Sequence, residues 1–405
     1  MKVTSIISEY NPFHNGHLYH MKRTKELTGA DAIICVMSGN FVQRGLPAII
    51  DKWTRAKTAL ECGADLVIEL PVIYSLSSAE FFAFGAVSLL NSLGVVNSIS
   101  FGSEEGEIQF IKSIAEILLK EPFEFKEELK KYLKLGYAYP KARSLALKEY
   151  IRDVDIMDKN IEQSLSTSNN ILGIEYLKSL IKLNSNIKPY TIKREGASYN
   201  SESMDSLFSS ATAIRKYVKK YEDISALYSH MPEASYNLLL DLKNNNYEFA
   251  NEKNMLKFIK YKHFCTKSKI EKLPDVIEGL HNKIYKSLER SNDYNDLIEN
   301  IKSKRFTYTR INRILCQYFI GFEKYDTEIL RKEPCPYGRV LGFNKMGTKI
   351  LKELKKSSKI PIFTKLPKTY KEVLNLDIEA TKAYSLLNPQ IDPFSDYLIN
   401  PIKLL

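Results

Sequence analysis

Long apolar runs are missing from this 405-residue chain. No uninterrupted apolar stretch approaches the ~20 residues that a membrane span requires. The first residues lack the basic region, apolar segment and cleavage site of a secretory leader. Cysteine is sparse and scattered: Cys35, Cys62, Cys265, Cys316 and Cys335 form no Cys-X-X-Cys pair. His263 precedes Cys265 by two residues, but no second pair completes a zinc site. Neither a disulfide framework nor a metal centre is expected, and a cytoplasmic location is. Internal repeats are absent, and Asn244–Asn246 is too short to count as low complexity.

What is present fits a soluble folded protein, with 44% hydrophobic and 26% charged residues. The length allows two domains, or one large domain with an appended module. A net charge of +11 is less ordinary and points to an anionic partner larger than a nucleotide, nucleic acid before a membrane surface. The general abundance of lysine is a plainer reading of the same excess.

The chemistry concentrates at the start of the chain. Val3–Glu9 reads as a short apolar strand, residues 10–16 as a turn, and His17–Leu27 as a helix closed by Gly29. A strand that runs through a glycine-bearing turn into a helix N-terminus offers unpaired N–H groups and the positive end of the helix dipole. His14 and His17 flank Gly16, which would let the backbone come close to a ligand. The pattern suits a polyphosphate.

The strand–helix alternation then repeats. Strands are predicted at 32–37, 65–70 and 95–101, with helices from Asp51 to about Cys62 and from Ser78 to Leu93. Such alternation predicts an α/β fold with a parallel sheet and right-handed crossovers. Residues 107–183 read as helical. One more strand is expected at 187–193, with Pro189 arguing for an edge position or a later start. Two glycine-punctuated loops, Ser38–Gly45 and Gly196–Ser210, are suited to close over the site, and 209–215 opens a helix to about Lys220. Beyond Tyr221 the segments read as helical and rich in lysine, tyrosine and asparagine, without apolar strands. A domain boundary near 220 is expected.

Three further stretches carry chemistry. Ser209-Ser-Ala-Thr-Ala-Ile-Arg215 sets hydroxyls at a helix start with an arginine one turn in, suited to phosphate oxygens, although a serine N-cap alone explains part of it. Lys52, Arg55 and Lys57 either touch phosphate or RNA, or form a solvated face with Trp53 inward. Residues 302–313 interleave lysine and arginine with Phe306 and Tyr308, and 345–356 form a second basic run on a predicted helix. Both suit RNA, with Arg310 and Arg313 as expected contacts.

The His-X-Gly-His element resembles the signature of the HIGH-type nucleotidyltransferase superfamily, and residues 209–215 resemble an element found late in it, with alanine replacing one hydroxyl residue. The match narrows further. Residues 9–17, 37–45, 51–55, 64–71, 101–104, 168–176 and Lys193-Arg194 resemble the bacterial tRNA(Met) cytidine acetate ligase family, and 337–344 does so more loosely. That resemblance implies a Rossmann-like nucleotidyltransferase domain over 1–220, followed by a mostly α-helical basic domain over 221–405 that binds tRNA. It implies an enzyme that activates acetate with ATP to acetyl-adenylate and passes the acetyl group to the wobble cytidine of elongator tRNA(Met), giving N4-acetylcytidine. By the family's pattern, ATP contacts fall on Ile7, Ser8, Glu9, Tyr10, Asn11, Pro12, Phe13, His14, Asn15, Gly16, His17, Leu18, Tyr19 and His20, and on Gly102, Asn169 and Arg194. Asn170 is the neighbour most easily confused with Asn169. His14 and His17 take the catalytic role. Magnesium usually travels with ATP, but no carboxylate cluster announces a dedicated cage. Two other readings share the histidine motif: an adenylyltransferase acting on a small phosphorylated metabolite, and a non-catalytic nucleotide-dependent RNA-binding protein.

Overall fold

Six strands of five to seven residues and two shorter ones assemble into an eight-stranded sheet in the computed structural model. It describes residues 1–137, 139–153, 165, 167–194, 209–266, 268–303, 305–369 and 372–405. The closing-loop reading of 196–210 therefore lies outside the described residues except at Ser209 and Ser210. The first strand, β1 (Val3–Ser8), leads into α1 (Asn15–Thr28) and β2 (Ala32–Ser38). A two-stranded hairpin, β3 (Phe41–Val42) and β4 (Leu46–Pro47), follows, then α2 (Lys52–Glu61) and β5 (Leu66–Leu70). The Ala79–Leu93 helix crosses to β6 (Ser98–Ser103). After the Ser168–Lys182 helix comes β7 (Lys188–Lys193), an edge strand, as Pro189 suggested.

β1, β2, β5, β6 and β7 are parallel, in the spatial order β5-β2-β1-β6-β7. The chain builds outward from β1 through β2 to β5, then returns to lay β6 on the other side of β1. A crevice opens at the carboxyl ends of strands where the order reverses in this way. Here it falls between β1 and β6. Every residue of β2 and β5 is buried, which explains apolar runs in place of alternation.

The expected absence of strands after 221 is corrected. β8 (Gly338–Asn344) pairs antiparallel with β5, while β9 (Ile362–Phe363) and β10 (Ile402–Leu404) pair parallel with β8. One apolar strand edge needs a partner, and the partner arrives some 270 residues later. Gly342 and Gly347 allow the approach: a Cβ at Gly347 would sit 2.1 Å from the Asp65 carbonyl oxygen. The Lys345–Ser357 helix follows β8 and packs beside Gly94, where Ser357 Oγ donates to the Leu93 carbonyl at 3.0 Å. The second basic run therefore lies at the amino ends of β1 and β6, opposite the crevice.

The remaining described residues beyond 220 are mostly helical. The Tyr308–Ile320 helix is the most buried of these segments, and Gln317 Nε2 donates to the Leu76 carbonyl at 2.8 Å. No helix among the described residues is long and apolar enough to cross a membrane.

Candidate active site

Two buried cations shape the turns that border the crevice. Arg55, fully buried on α2, donates to the carbonyls of Glu9 at 2.6 Å, Ser38 at 3.1 Å and Ile50 at 2.9 Å, and to that of Gly39. It stitches the turn after β1 to the loop after β2. Lys52 is buried as well, bound to Glu69 at 2.8 Å and Asp396 at 2.8 Å. Neither faces phosphate or solvent, so only Lys57 keeps the solvated reading, paired with Glu61 at 3.9 Å.

The turn itself is held from both sides. Asn11 Oδ1 accepts from Ile49 N at 2.9 Å, its carbonyl accepts from Arg215 Nη1 at 2.8 Å, and the Phe13 carbonyl accepts from Ser235 Oγ at 2.7 Å. Tyr10 is buried with φ +46°, left-handed backbone that costs a bulky residue about 1–2 kcal/mol. Its ring packs on Phe13 and His17 at centroid distances of 4.7 and 5.0 Å.

α1 begins at Asn15, earlier than the His17 start expected from sequence, because His14 serves as its N-cap. His14 Nδ1 accepts from Gly16 N at 3.1 Å, and His17 Nδ1 accepts from His14 N at 3.2 Å. This is a capping box made of two imidazoles. The rings stack 3.8 Å apart. Burial first, then Arg194 and Arg215, depresses His14 to about 3. Burial, then His14 and Arg194, holds His17 well below its usual value. Both rings are therefore neutral at pH 7. With each Nδ1 accepting a backbone proton, each ring carries its own proton on Nε2, free for a ligand.

Gly16 has a use other than the one read from sequence. A Cβ there would lie 2.9 Å from His14 Cε1, so the glycine makes room for the His14 ring rather than for a ligand.

A cleft of about 340 Å³ lies over this corner. Of the sequence-derived contacts, Ile7, Ser8, Glu9, Tyr10, Asn11, His14, Gly16, His17, Tyr19 and His20 line it, together with Gly102, Asn169 and Arg194. Pro12, Phe13, Asn15 and Leu18 do not line it. Phe13 is core, Leu18 packs on the same cluster, and Asn15 Nδ2 donates to the Ser229 carbonyl at 2.8 Å. His20 bonds Ser100 Oγ at 3.2 Å, and burial, then Arg194, lowers it to about 4.

The two asparagines separate cleanly. Asn170 is 1% exposed, and its Oδ1 accepts from Glu104 N at 2.9 Å. Asn169 faces the cleft, with Nδ2 donating to Glu104 Oε1 at 2.7 Å. Gly102 underlies the Arg194 side chain, whose Cγ a Cβ would meet at 3.3 Å. Ser210 caps its helix through Ala213 N at 3.1 Å, the plainer of the two readings, yet it lines the cleft with Ser209 and Arg215. Ser209 Oγ lies 3.0 Å from His230 Nδ1.

Gln43 and Arg44 line the cleft from the 38–45 loop that the sequence places over the site. Sequence reasoning missed other lining residues: Phe82 and Tyr176, and Thr309 and Arg313 of the second half. Arg313, expected on an RNA face, points into the cleft. Arg310 donates to the Asp275 carbonyl at 2.6 Å and lies over the Phe306 ring. Only a helix i, i+4 pattern read with the correct face inward would have flagged Thr309 and Arg313.

The arrangement presents neutral N–H donors, guanidinium groups and a helix N-terminus to one cavity. It suits a polyanion whose charge grows as a bond breaks.

Comparison with known proteins gives the same answer along the whole chain. The HIGH Nucleotidyl Transferase family matches residues 1–396. The tRNA(Met) cytidine acetate ligase of Clostridium novyi (strain NT) is 58% identical over 404 residues, covering 100% of both chains. The protein of that name from Clostridium tetani (strain Massachusetts / E88) is 52% identical, over 99% of this chain and 100% of its own. The crystal structure of apo Thermotoga maritima TmcAL superposes with a TM-score of 0.91 at 36% identity, covering both chains completely. The same protein bound with alpha-thio ATP superposes with a TM-score of 0.88. The chain belongs to the tRNA(Met) cytidine acetate ligase family of HIGH nucleotidyltransferases.

Proposed function

We propose that the cleft runs two steps on one tRNA-modifying enzyme. In the first, a carboxylate oxygen of acetate attacks the α-phosphorus of ATP. The bond to the bridging oxygen breaks, and pyrophosphate leaves. In the second, the exocyclic amine of the wobble cytidine in elongator tRNA(Met) attacks the acetyl carbonyl. AMP leaves with the electron pair, and the amine proton passes to solvent, giving N4-acetylcytidine.

The observation that carries this reading is the stacked, neutral His14–His17 pair at the N-terminus of α1, ringed by Arg194 and Arg215. As negative charge builds on the leaving pyrophosphate, Nε2–H donors and guanidinium groups already gathered around one cleft stabilise it without reorganising. Among the described residues no group of three or more His, Cys, Asp or Glu is arranged to hold a metal.

In this reading residues 1–220 supply the nucleotide site and 221–405 the RNA face. Lys302, Arg305 and Tyr308 are exposed at the start of the helix whose next turns reach the cleft, so RNA seated there adjoins the reacting atoms. Cytoplasmic location follows from the tRNA substrate. Incubation with ATP, labelled acetate and bulk tRNA tests the proposal. Label in tRNA with matching AMP release is expected. AMP transferred to a small metabolite, or ATP and RNA binding without turnover, overturns it. Charge reversal at Lys302 and Arg305 together is expected to weaken tRNA binding and flatten its salt dependence, by about one unit of log–log slope for each phosphate no longer neutralised.

A further inference from the structure

Arg313 is a half-buried cation with no anionic partner among the described residues. Its Nε atom is inaccessible and has no hydrogen-bond partner. Among the described residues no carboxylate forms an ion pair with it. Asp275, the acidic group that acts on it, is engaged elsewhere: its carboxylate pairs with Arg331 at 3.1 Å, and its carbonyl accepts from Arg310. Burial pushes the Arg313 guanidinium below its usual value, the mark of a charge held out of water.

The backbone beneath it is fixed from three directions. Gln317 ties its helix to Leu76, and Tyr294 Oη donates to Asn312 Oδ1 at 3.0 Å. Gly45, at φ +79°, sits so close that a Cβ would lie 2.2 Å from Arg313 N. Thr309, one turn earlier, lines the same cleft, so this face of the helix is directed at the site. A guanidinium presents a planar fork that matches the paired oxygens of a carboxylate or phosphoryl group.

We propose that Arg313 binds the anionic oxygens of a reactant in the cleft, either the acetate carboxylate or the triphosphate. The second half of the chain thereby contributes to substrate binding in the first step, before any RNA is engaged. This role rests on the two-step reaction proposed for the cleft.

The test compares wild type with Arg313→Met and Arg313→Lys, the latter keeping the charge but losing the fork. Three quantities are read: ATP affinity by calorimetry, acetate-dependent ATP–pyrophosphate exchange across acetate concentrations, and tRNA affinity. Removal of one charge-assisted hydrogen bond is expected to cost roughly 10- to 100-fold in the affected constant. A raised KM for acetate with ATP affinity unchanged assigns the guanidinium to the carboxylate. Weakened ATP affinity assigns it to the triphosphate. In both cases tRNA affinity is unchanged and Lys restores only part of the loss. Normal exchange kinetics and ATP affinity in both variants overturn the proposal, whether or not tRNA binding falls. Should Met fail to fold, Lys alone decides by the same readings. If wild type itself shows no acetate-dependent exchange, the two-step reaction fails. ATP affinity then still judges Arg313: a weakened value supports its binding role, and an unchanged one removes it.

Discussion

Two assemblies of charge sit in this protein, one buried and one lining the cleft, and they are built on opposite plans. In one, Lys52 lies between Glu69 and Asp396, and Arg339 reaches Asp396 at 2.7 Å and Glu69 at 3.6 Å. Two cations face two carboxylates. Burial opposes the charge on Asp396, but Lys52 and Arg339 hold it below the usual carboxylate range. Asp377 nearby shows the reverse case: burial, then repulsion from Glu69, lifts it to about 7 while Val72 N and Tyr337 donate to it. In the cleft, His14, His17, Arg194 and Arg313 share one lining, with Glu9 the acidic residue among its described members, its Oε1 accepting from Gln43 N. A cluster neutralised from within holds the fold together. A cluster left positive awaits a ligand.

That contrast can be broken by experiment, most severely at His17. His17→Ala removes a transition-state donor and is expected to cut acetate-dependent pyrophosphate release by roughly 100- to 1000-fold, with tRNA affinity nearly intact. Lost helix capping costs about 1 kcal/mol, so stability changes little. Unchanged pyrophosphate release would falsify the assignment. Lys52→Met should do the opposite. It leaves two buried carboxylates to share Arg339, and denaturant unfolding is expected to show a loss of about 3–5 kcal/mol, while the folded fraction still binds ATP. A stable Lys52→Met protein that no longer binds ATP would reverse the two roles.

Gly16→Ala sharpens the distinction within the cleft. Its Cβ would press on His14 Cε1, tilting the ring while leaving the helix a better former. Activity is expected to drop about 10- to 100-fold, since a misplacement near 1 Å costs that much, with melting temperature held or raised. Full activity in this variant would return Gly16 to the role of admitting a ligand.

The smallest expected effect is in the response to acid. Unfolded histidine takes up its proton below pH 6.5, whereas folded His14 does so only near 3. Between these values the unfolded chain binds more protons, so stability falls as pH falls through that window. ATP, met by Nε2–H donors while each Nδ1 keeps its backbone hydrogen bond, should bind without protonating the pair. Calorimetry in buffers of different ionisation heat reads this directly, and net proton uptake on binding at pH 5.5 contradicts the neutral-pair geometry.

The parts legible in sequence are those whose causes are local. The strand–turn–helix from Val3 to Thr28 follows from apolar run, turn residues and cap, and β2, β5 and β6 follow from apolar runs between helices. β6 starts at Ser98, three residues later than its apolar run suggested, because pairing with β1 begins at Thr4↔Ser98. What escaped has distant causes. Residues 337–344 were visible as a motif, but the reason they form a strand is the open edge of β5. Lys52 and Arg55 carry charges on a helix, and helical periodicity alone cannot say that Asp396 and a set of backbone carbonyls await them inside. Arg313 sits in a basic run of which Lys302 and Arg305 are exposed. Only packing against Gly45 and Leu76 decides which way it turns.

The late arrival of β8 and Asp396 has a consequence during synthesis. When the first 220 residues have left the ribosome, the Leu66–Leu70 edge is apolar and bare, and Lys52 and Glu69 lack their last partners. The nucleotide-binding portion is thus an unfinished object until nearly the whole message has been read. A chain released before Gly338 would carry every histidine of the site together with an open strand edge that recruits other chains into aggregates.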